Sequence, residues 1–395
     1  MNVLCLGNMY PPHHLGGYEL VWQGVVAHLR GGGHTVGVLT TGHREAGVQV
    51  PDEPDVHRDL RWYWHDHAFP RLSPLECLRL ERHNAAVFDR HVEECRPDVV
   101  AWWAMGGMSL SLLARARRHG LPSAAFVIDD WLLYGPRFDR WLRTLAWLGP
   151  LGPVVRRATA IPTRLELAAV SRWVFVSGFT RDSALDAWPR LTGTQVAHIG
   201  IDPAFLGPGP ERGWGWRLLY LGRIDERKGI TTALDALSHL PEQATLTVVG
   251  DGDGRHLAEL RRHPATLAGR ARIEPGRSRP EVPGLIDAHD AVVFPSRWHE
   301  PWGLVPLEAM ARGRPVVSTL RGGAREYLRP GENCLAFDVD DARGLAAGVG
   351  RLAGDPTLRA RLRATGVQTA REHTDERYAR TVEAVLAETA RGRAP

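Results

Sequence analysis

Apolar runs alternate with helical segments along the first part of the chain. Asn2 to Gly7 is typical of a strand, and Tyr18 to Arg30 has apolar residues at helical spacing before the stop at Gly31-Gly32-Gly33. His34 to Thr40 predicts a second strand. A strand, a helix and a strand in this order predict a parallel sheet covered by helices. Residues 51–75 lack a clear period and indicate an irregular connection. Further strands are predicted at 99–103, 123–128 and 173–176.

The same alternation restarts after a segment dense in proline and glycine. It predicts strands at 217–221, 246–249, 291–294 and 315–318, and helices at 230–240, 255–262 and 304–312. We therefore expect an α/β protein with two doubly wound domains. The predicted divisions are an N-terminal domain 1–202, a linker 203–215, a C-terminal domain 216–371, and a charged helical segment 372–395 packing back on the first domain. In such sheets, ligands bind beyond the carboxyl ends of the strands.

Composition narrows the class of protein. A chain of 395 residues suits two domains, and no apolar run reaches the roughly 18 residues of a membrane span. The net charge of +4 comes without a block of basic residues, so no nucleic-acid partner is expected. The N-terminus reads as a strand rather than a signal peptide. The four cysteines are scattered and predict neither a disulfide framework nor a zinc site, which favours a reducing cytoplasm.

The first motif with chemistry is Gly222 to Gly229, directly after a predicted strand. Lys228 is the only lysine among 49 basic residues, which suggests a position that requires a compact ammonium, although chance is the alternative. Gly222 allows a ligand close to the backbone, and Arg223 and Lys228 can bind one anion between them. The competing interpretation is an exposed charged turn.

The second motif is Pro295 to Met310, which also follows a strand. Glu300 lies in the loop, and Glu308 lies in a helix among apolar residues, where a carboxylate requires a partner. Sugar or ribose hydroxyls are one kind of partner, and a nearby arginine is the other. Gly303 opens the start of the helix to a phosphate.

These residues resemble family 4 glycosyltransferases, a retaining class with the GT-B fold of two Rossmann-like domains facing a central cleft. The resemblance is specific over most of residues 195–340 and looser in the first half. It is carried by Gly222 to Gly229, Gly250 to Gly252, Pro295 to Val317, Gly322-Gly323, Glu326 and Gly331-Glu332-Asn333, with Pro11-Pro12, Gly16-Gly17 and Glu19 in the first loop.

The resemblance implies a role for each matching residue. Arg223 and Lys228 would bind the donor diphosphate and stabilise the departing nucleoside diphosphate, so no metal and no cofactor are expected. Glu300 would bind hydroxyls of the transferred sugar and Glu308 those of the ribose. The donor, UDP- or GDP-linked, would also contact a set of backbone positions: Gly16, Gly17, Gly222, Gly250, Asp251, Gly252, Gly303 and Leu304.

The first half departs from the family in one position. Where the family often carries His-Asp after a strand, this chain has Asp129-Asp130. Asp129 is predicted to face the sugar as a catalytic residue, with donor preference or rate altered by its acidity. For Asp130, binding the sugar and capping the next helix are equally open. Asp251-Gly252-Asp253 is predicted to be a turn and His65-Asp66-His67 an irregular loop, rather than metal sites.

The expected function is retaining transfer of a sugar from a nucleoside-diphosphate sugar to an acceptor hydroxyl. The acceptor is a saccharide, a glycolipid or a natural product. A sugar-nucleotide epimerase and a non-catalytic sugar-nucleotide-binding subunit are the alternatives. Residues 141–157 mix aromatic, apolar and arginine residues, which fits either peripheral contact with an anionic membrane at its inner, cytoplasmic face or a core helix and loop.

Overall fold

The computed structural model describes residues 1–14, 16–64, 69–145, 151–167, 170, 172–252 and 254–392. The chain forms two compact units. The first contains Met1–His198 and the segment from Glu376 onward, and the second contains Ile199–Asp375. The first unit is therefore discontinuous in sequence, because the second is inserted into it.

The first unit is built on a seven-stranded parallel sheet with the order β3-β2-β1-β4-β5-β6-β7. Its strands are β1 (Asn2–Leu6), β2 (Thr35–Thr41), β3 (Val56–Leu60), β4 (Val99–Trp102), β5 (Ser123–Val127), β6 (Arg172–Phe175) and β7 (Thr194–Val196). Its helices are α1 (Gly17–Gly31), α2 (Pro74–Cys95), α3 (Ser111–Arg118), α4 (Trp131–Phe138), α5 (Arg140–Leu145), α6 (Gly152–Thr159) and α7 (Gly178–Ala187).

The second unit is built on a six-stranded parallel sheet with the order β10-β9-β8-β11-β12-β13. Its strands are β8 (Arg217–Leu221), β9 (Thr245–Val249), β10 (Ala271–Glu274), β11 (Ala291–Phe294), β12 (Val316–Ser318) and β13 (Leu335–Ala336). Its helices are α8 (Ile230–Ala236), α9 (Gly254–Arg262), α10 (Pro264–Leu267), α11 (Val282–Asp287), α12 (Leu304–Ala311), α13 (Ala342–Gly354) and α14 (Pro356–Glu372).

The final helix, α15 (Asp375–Arg391), has its contacts in the first unit. Glu383 accepts hydrogen bonds from His28 and His34, each at 2.9 Å, and Tyr378, Val382 and other apolar residues of the helix are buried. Because one amphipathic face is covered, this helix is part of the core of the first unit.

Two parts of the sequence interpretation differ from the structure. Residues 51–75, expected to be irregular, contain β3 and the start of α2. Residues 203–215, expected to be the linker between the domains, belong to the second unit, which begins at Ile199. Arg363 and Arg314 donate to the carbonyl groups of Gly209 and Pro210 at 2.6 and 3.0 Å, which holds this segment against that unit.

Residues 141–157 fit the core-helix interpretation in one part and the membrane-contact interpretation in another. Trp141 and Leu142 of α5 are buried, whereas Leu151 and Val154 beside and within α6 are exposed. Among the described residues, none of the helices combines the length and apolar character that crossing a membrane requires.

Candidate functional site

In the second unit, the loops after β8 and β9 pack backbone against backbone. Gly222 N–H donates to Val249 O at 3.0 Å, and Ile224 N–H donates to Asp251 O at 2.8 Å. A Cβ on Gly250 would lie 1.9 Å from Gly222 O, and one on Gly252 would lie 1.9 Å from Ile224 O. Gly250 and Gly252 are therefore required by the close approach of the two loops.

The loop from Gly222 to Gly229 is also fixed against the loop after β11. Residues Glu226–Lys228 form one 3₁₀ turn, and Gly229 has φ +67° with Pro295 O only 2.1 Å from where a Cβ would stand. The N–H groups of Arg297 and Trp298 donate to Arg227 O at 2.9 and 3.0 Å. The two sequence motifs are thus adjacent at the carboxyl edge of the sheet, as the strand-end placement predicts.

Arg227 has its charge neutralised within its own loop. Its guanidinium makes two hydrogen bonds to Asp225, at 2.9 and 2.7 Å, which holds the pKa of that carboxyl at about 2. The guanidinium also lies 4.9 Å from the centre of the Trp298 ring. Arg227 therefore stabilises the loop and is not an available cation.

Lys228 and Glu300 form the central contact of the site. Lys228 Nζ lies 2.6 Å from Glu300 Oε1, and the same oxygen accepts a hydrogen bond from Ser296 Oγ at 2.9 Å. The side chain of Glu300 is only 9% exposed, whereas that of Lys228 is 24% exposed. The single lysine of the chain is thus held by a buried carboxylate, with part of its surface accessible. Ser296 has no role in the sequence interpretation, although it stands in the second motif.

Within the described ranges, Arg223 differs from Lys228 and Arg227 in having no anionic partner. Its carbonyl accepts from the Tyr220 hydroxyl at 2.8 Å, which fixes the backbone, and its side chain is exposed. Across the described part of the chain, no hydrogen bond or ion pair engages its guanidinium. An exposed guanidinium on a fixed backbone is suited to an incoming anion.

Glu308 is buried in α12 and pairs with an arginine, which was one of its two expected kinds of partner. Arg279 Nη1 lies 2.6 Å from Glu308 Oε1, and the Arg279 guanidinium stacks on the Phe205 ring at 4.4 Å. Burial raises the pKa of the Glu308 carboxyl, and Arg279 partly opposes that rise. Nothing in the sequence near Arg279 points to this role, because the two residues are 29 positions apart.

The start of α12 leaves backbone groups at the same edge of the sheet. Gly303 precedes the helix with φ +85°, and its carbonyl accepts from the buried Tyr327 hydroxyl. The N–H groups of the first turn, beginning at Leu304, have no carbonyl four residues earlier within the helix. This arrangement favours an anion or a polar ligand at the helix start.

In the first unit, the predicted glycines open α1. Gly16 occupies the N-cap, and its N–H donates to Glu19 Oε2 at 3.2 Å, which keeps this carboxylate at the helix start. Among the described residues, a Cβ on Gly17 would meet nothing within 4 Å. Packing alone thus does not explain glycine at this position.

Asp129 lies at the carboxyl end of β5 and is held by two donors. Its Oδ1 accepts from the Trp131 N–H at 3.1 Å and its Oδ2 from the Tyr134 hydroxyl at 2.7 Å. Burial raises the pKa of the Asp129 carboxyl to about 7, with the two hydrogen bonds opposing the rise. Gly106 leaves the space for Tyr134, since a Cβ there would lie 2.3 Å from the tyrosine oxygen.

Asp130 occupies the N-cap position of α4, but its side chain makes no capping hydrogen bond. The bond to the first turn comes from Asp129 instead, so the capping interpretation applies to the preceding residue. Burial raises the pKa of the Asp130 carboxyl. Asp253 and His65-Asp66-His67, which the sequence places in a turn and a loop, lie outside the described residues.

Known proteins with similar sequences are glycosyltransferases. Residues 210–369 match the family model of glycosyl transferases group 1. Glycogen synthase of Mycobacterium tuberculosis is 32% identical over 386 residues, which span 90% of this chain and 87% of that protein. The lipopolysaccharide core biosynthesis glycosyltransferase LpsE of Rhizobium meliloti is 36% identical over 152 residues, 38% of this chain and 44% of its own length.

Solved structures with the same fold cover nearly the whole chain. HepE from Anabaena, solved in complex with UDP, has a TM-score of 0.71 at 18% identity, with 98% of this chain and 100% of that chain aligned. Sucrose-phosphate synthase from Thermosynechococcus elongatus also has a TM-score of 0.71, with 98% and 99% aligned. The predicted fold, two parallel α/β units of the GT-B type, is confirmed.

The chain belongs to the group 1 glycosyltransferases. It is accordingly a glycosyltransferase enzyme, as the sequence analysis predicts.

Proposed function

We propose that this enzyme is a retaining, family 4 transferase that moves a sugar from a nucleoside-diphosphate sugar to an acceptor hydroxyl. The observation that carries the proposal is the combination of the Lys228–Glu300 pair with the unpaired Arg223 at one edge of the second unit. HepE, which has the same fold, has been solved with UDP and with UDP-glucose. This supports a UDP-linked donor as the first to test, with GDP-linked donors second.

The Lys228–Glu300 contact explains how one site can bind both the diphosphate and the sugar of such a donor. Without a ligand, the ammonium and the carboxylate neutralise each other at 2.6 Å. A donor diphosphate competes for the ammonium, and the carboxylate oxygen then accepts a sugar hydroxyl. Arg223 supplies a second cation. Unlike Lys228, it does not have to break an ion pair within the described residues before it binds the donor. As charge grows on the leaving diphosphate, these two cations stabilise it without a metal ion.

The resemblance to family 4 glycosyltransferases implies roles for the remaining residues of the second unit. Glu308 would bind the ribose hydroxyls in exchange for part of its contact with Arg279. The N–H groups of Gly303 and Leu304 would contact phosphate at the start of α12, and Gly222 with Gly250 to Gly252 would line the path of the nucleotide.

The first experiment is thermal unfolding with a panel of sugar nucleotides and free nucleoside diphosphates. A ligand at 100 times its Kd stabilises the folded state by about 2.7 kcal/mol, which is a shift of several degrees. We expect one nucleotide to give this shift with the wild type and not with Lys228→Ala. If no UDP or GDP compound shifts the wild type, the proposed donor site is wrong.

The second experiment measures turnover with the identified donor and trial saccharide, glycolipid and natural-product acceptors. Arg223→Ala, Lys228→Ala and Glu300→Ala should each lower the rate by about 10²-fold or more. Arg255→Ala, a cation on α9 with 82% side-chain exposure, serves as the control and should remain near the wild-type rate. Near-normal rates in all three site variants would refute the mechanism.

The products of this reaction separate the remaining possibilities. Retention predicts that the anomeric configuration of the donor sugar, read by NMR, persists in the product. Conversion of the donor to an epimer without any acceptor would indicate the epimerase alternative. Stoichiometric donor binding with no release of diphosphate under any condition would indicate a binding subunit.

We also propose that the first unit contacts an anionic membrane surface. Leu151 and Val154 are 57% and 63% exposed, and Arg156 and Arg157 follow on the last turn of α6. A neighbouring hollow of about 480 Å³ is lined by three arginines of α3 and α6 and by the carboxylate-bearing Glu166. Exposed apolar residues beside arginines suit insertion among anionic headgroups.

Sedimentation with vesicles tests this contact directly. Wild-type enzyme should bind vesicles that contain phosphatidylglycerol and not vesicles of phosphatidylcholine alone, and added salt should weaken the binding. Val154→Glu should reduce binding, whereas Leu267→Glu, a 74% exposed residue of the second unit, should not. Equal sedimentation with both lipids, or none, would contradict the proposal.

A further inference from the structure

A cluster of metal-ligating side chains lies in the first unit between β3 and α2. His57 and Asp59 are two residues apart on β3 and therefore project from the same face of the strand. His91 projects from α2 and is 2% exposed. One ligand atom from each of the three residues lies within 4.8 Å of the other two.

The spacing within this cluster is close to that of a coordination shell. Bonds of about 2.0–2.2 Å in a tetrahedral zinc site place ligand atoms about 3.3–3.6 Å apart. His91 Nε2 and Asp59 Oδ2 are already 3.2 Å apart. The ligand atom of His57 lies within 4.8 Å of those of Asp59 and His91, so a side-chain rotation that closes at most about 1.5 Å completes three ligands.

We propose that His57, Asp59 and His91 bind a Zn²⁺ ion, with water as the remaining ligand. Two imidazoles and one carboxylate form a set that zinc accepts, whereas Mg²⁺ and Ca²⁺ prefer oxygen ligands throughout. The ion would join the edge strand β3 to α2 and so stabilise the first unit.

Two neighbouring side chains surround the three ligands. His83 Nε2 lies 2.8 Å from the Asp59 carbonyl, which holds the strand at this position. The other ring nitrogen of His91, Nδ1, is buried, and Glu94 Oε2 lies 4.0 Å from it, beyond hydrogen-bond distance.

A cationic side chain already occupies part of the cluster. Arg90 Nη2 lies 2.6 Å from Asp59 Oδ2 and 3.5 Å from His91 Nε2, where positive charge is favoured. Its side chain is 51% exposed, so it can turn into solvent when a metal ion enters. Arg90 therefore competes with the metal, and removing it should tighten binding.

Calorimetric titration of tag-free, chelator-treated enzyme with Zn²⁺ tests the proposal. We expect one equivalent to bind to the wild type, and we expect bound zinc to raise the unfolding temperature by several degrees, reversed by EDTA. Arg90→Gln should bind zinc about tenfold more tightly. His57→Gln, on the partly exposed edge strand, should weaken binding at least tenfold while retaining the fold by circular dichroism.

His83→Gln is the matched control, because this histidine contacts only the backbone of Asp59 in the cluster. This variant should bind zinc as the wild type does. That result would show that zinc binds at the proposed site rather than non-specifically to the 18 histidines of the chain. Absence of zinc binding to the wild type, or equal binding by His57→Gln, would overturn the assignment. If His57→Gln fails to fold, Asp59→Asn provides the same test. None of these outcomes depends on the donor site.

Discussion

The raised pKa of Asp129 makes the stability of the first unit depend on pH. In the unfolded chain this carboxyl has a pKa of 3.8, and in the folded protein burial raises it to about 7. The folded state therefore retains a proton that the unfolded chain has released. The associated stability is fully present below pH 3.8, decreases as pH rises, and is lost once pH has passed through the folded pKa.

The size of this dependence follows from the two pKa values. Each unit of difference corresponds to about 1.4 kcal/mol, but the folded group also releases its proton near pH 7. Linkage over the interval from pH 5 to pH 8 then amounts to about 2–3 kcal/mol. This is a substantial part of the ~5–15 kcal/mol that stabilises a typical domain.

The perturbation that isolates this effect is Asp129→Asn. The amide oxygen can still accept from the Trp131 N–H, and the amide nitrogen can donate to the Tyr134 oxygen, so shape and contacts are kept while the ionisable group is removed. Relative to the wild type, the variant should gain about 2–3 kcal/mol of stability between pH 5 and pH 8.

Urea unfolding followed by tryptophan fluorescence measures this difference, because most of the 14 tryptophans lie in the first unit. Asp182→Asn, which removes an exposed carboxylate of α7 in the same unit, is the control and should follow the wild type at every pH. Parallel stability curves for the wild type and Asp129→Asn across this range would refute the reasoning.

Two further predictions concern the second unit. Arg279→Ala should lower the free energy of unfolding by about 1–3 kcal/mol, because it leaves the buried Glu308 carboxylate without its charged partner; an unchanged urea midpoint would contradict this. Gly250→Ala should destabilise the loop and abolish the thermal shift by nucleotide, because the new Cβ would stand 1.9 Å from Gly222 O. Gly254→Ala, whose Cβ would meet nothing within 4 Å, should keep that shift.

The strands that the sequence analysis missed are the outermost strands of the two sheets: β3 and β7 in the first, β10 and β13 in the second. The inner strands are covered on both faces and read as continuous apolar runs. The edge strand Val56–Leu60 has three polar residues in a row, His57, Arg58 and Asp59, between two apolar ones. The side chain of Arg58, for example, donates a hydrogen bond to a loop carbonyl. The order of polar and apolar residues in this strand resembles that of an irregular loop until the partner strand is known.

The positions of the two loops of the site were predictable because each directly follows a strand that an apolar run predicts. The partners within the site were not. The contacts of Lys228 with Glu300, and of Arg279 with Glu308, join residues 72 and 29 positions apart through the crossover connections of the sheet. The proton affinity of Asp129 likewise depends on burial by residues distant in sequence, which no local pattern contains.

The discontinuity of the first unit has a consequence for biosynthesis. Residues 1–198 leave the ribosome early but lack α15, which carries Glu383 and the buried face around Val382. The second unit is contiguous, so it can complete its fold while its neighbour still exposes the apolar surface that α15 will cover. The first unit, whose synthesis begins first, is therefore the last to complete its fold. A stop codon shortly after residue 375 would leave the second unit intact but would leave the first unit without α15 and exposed to proteolysis.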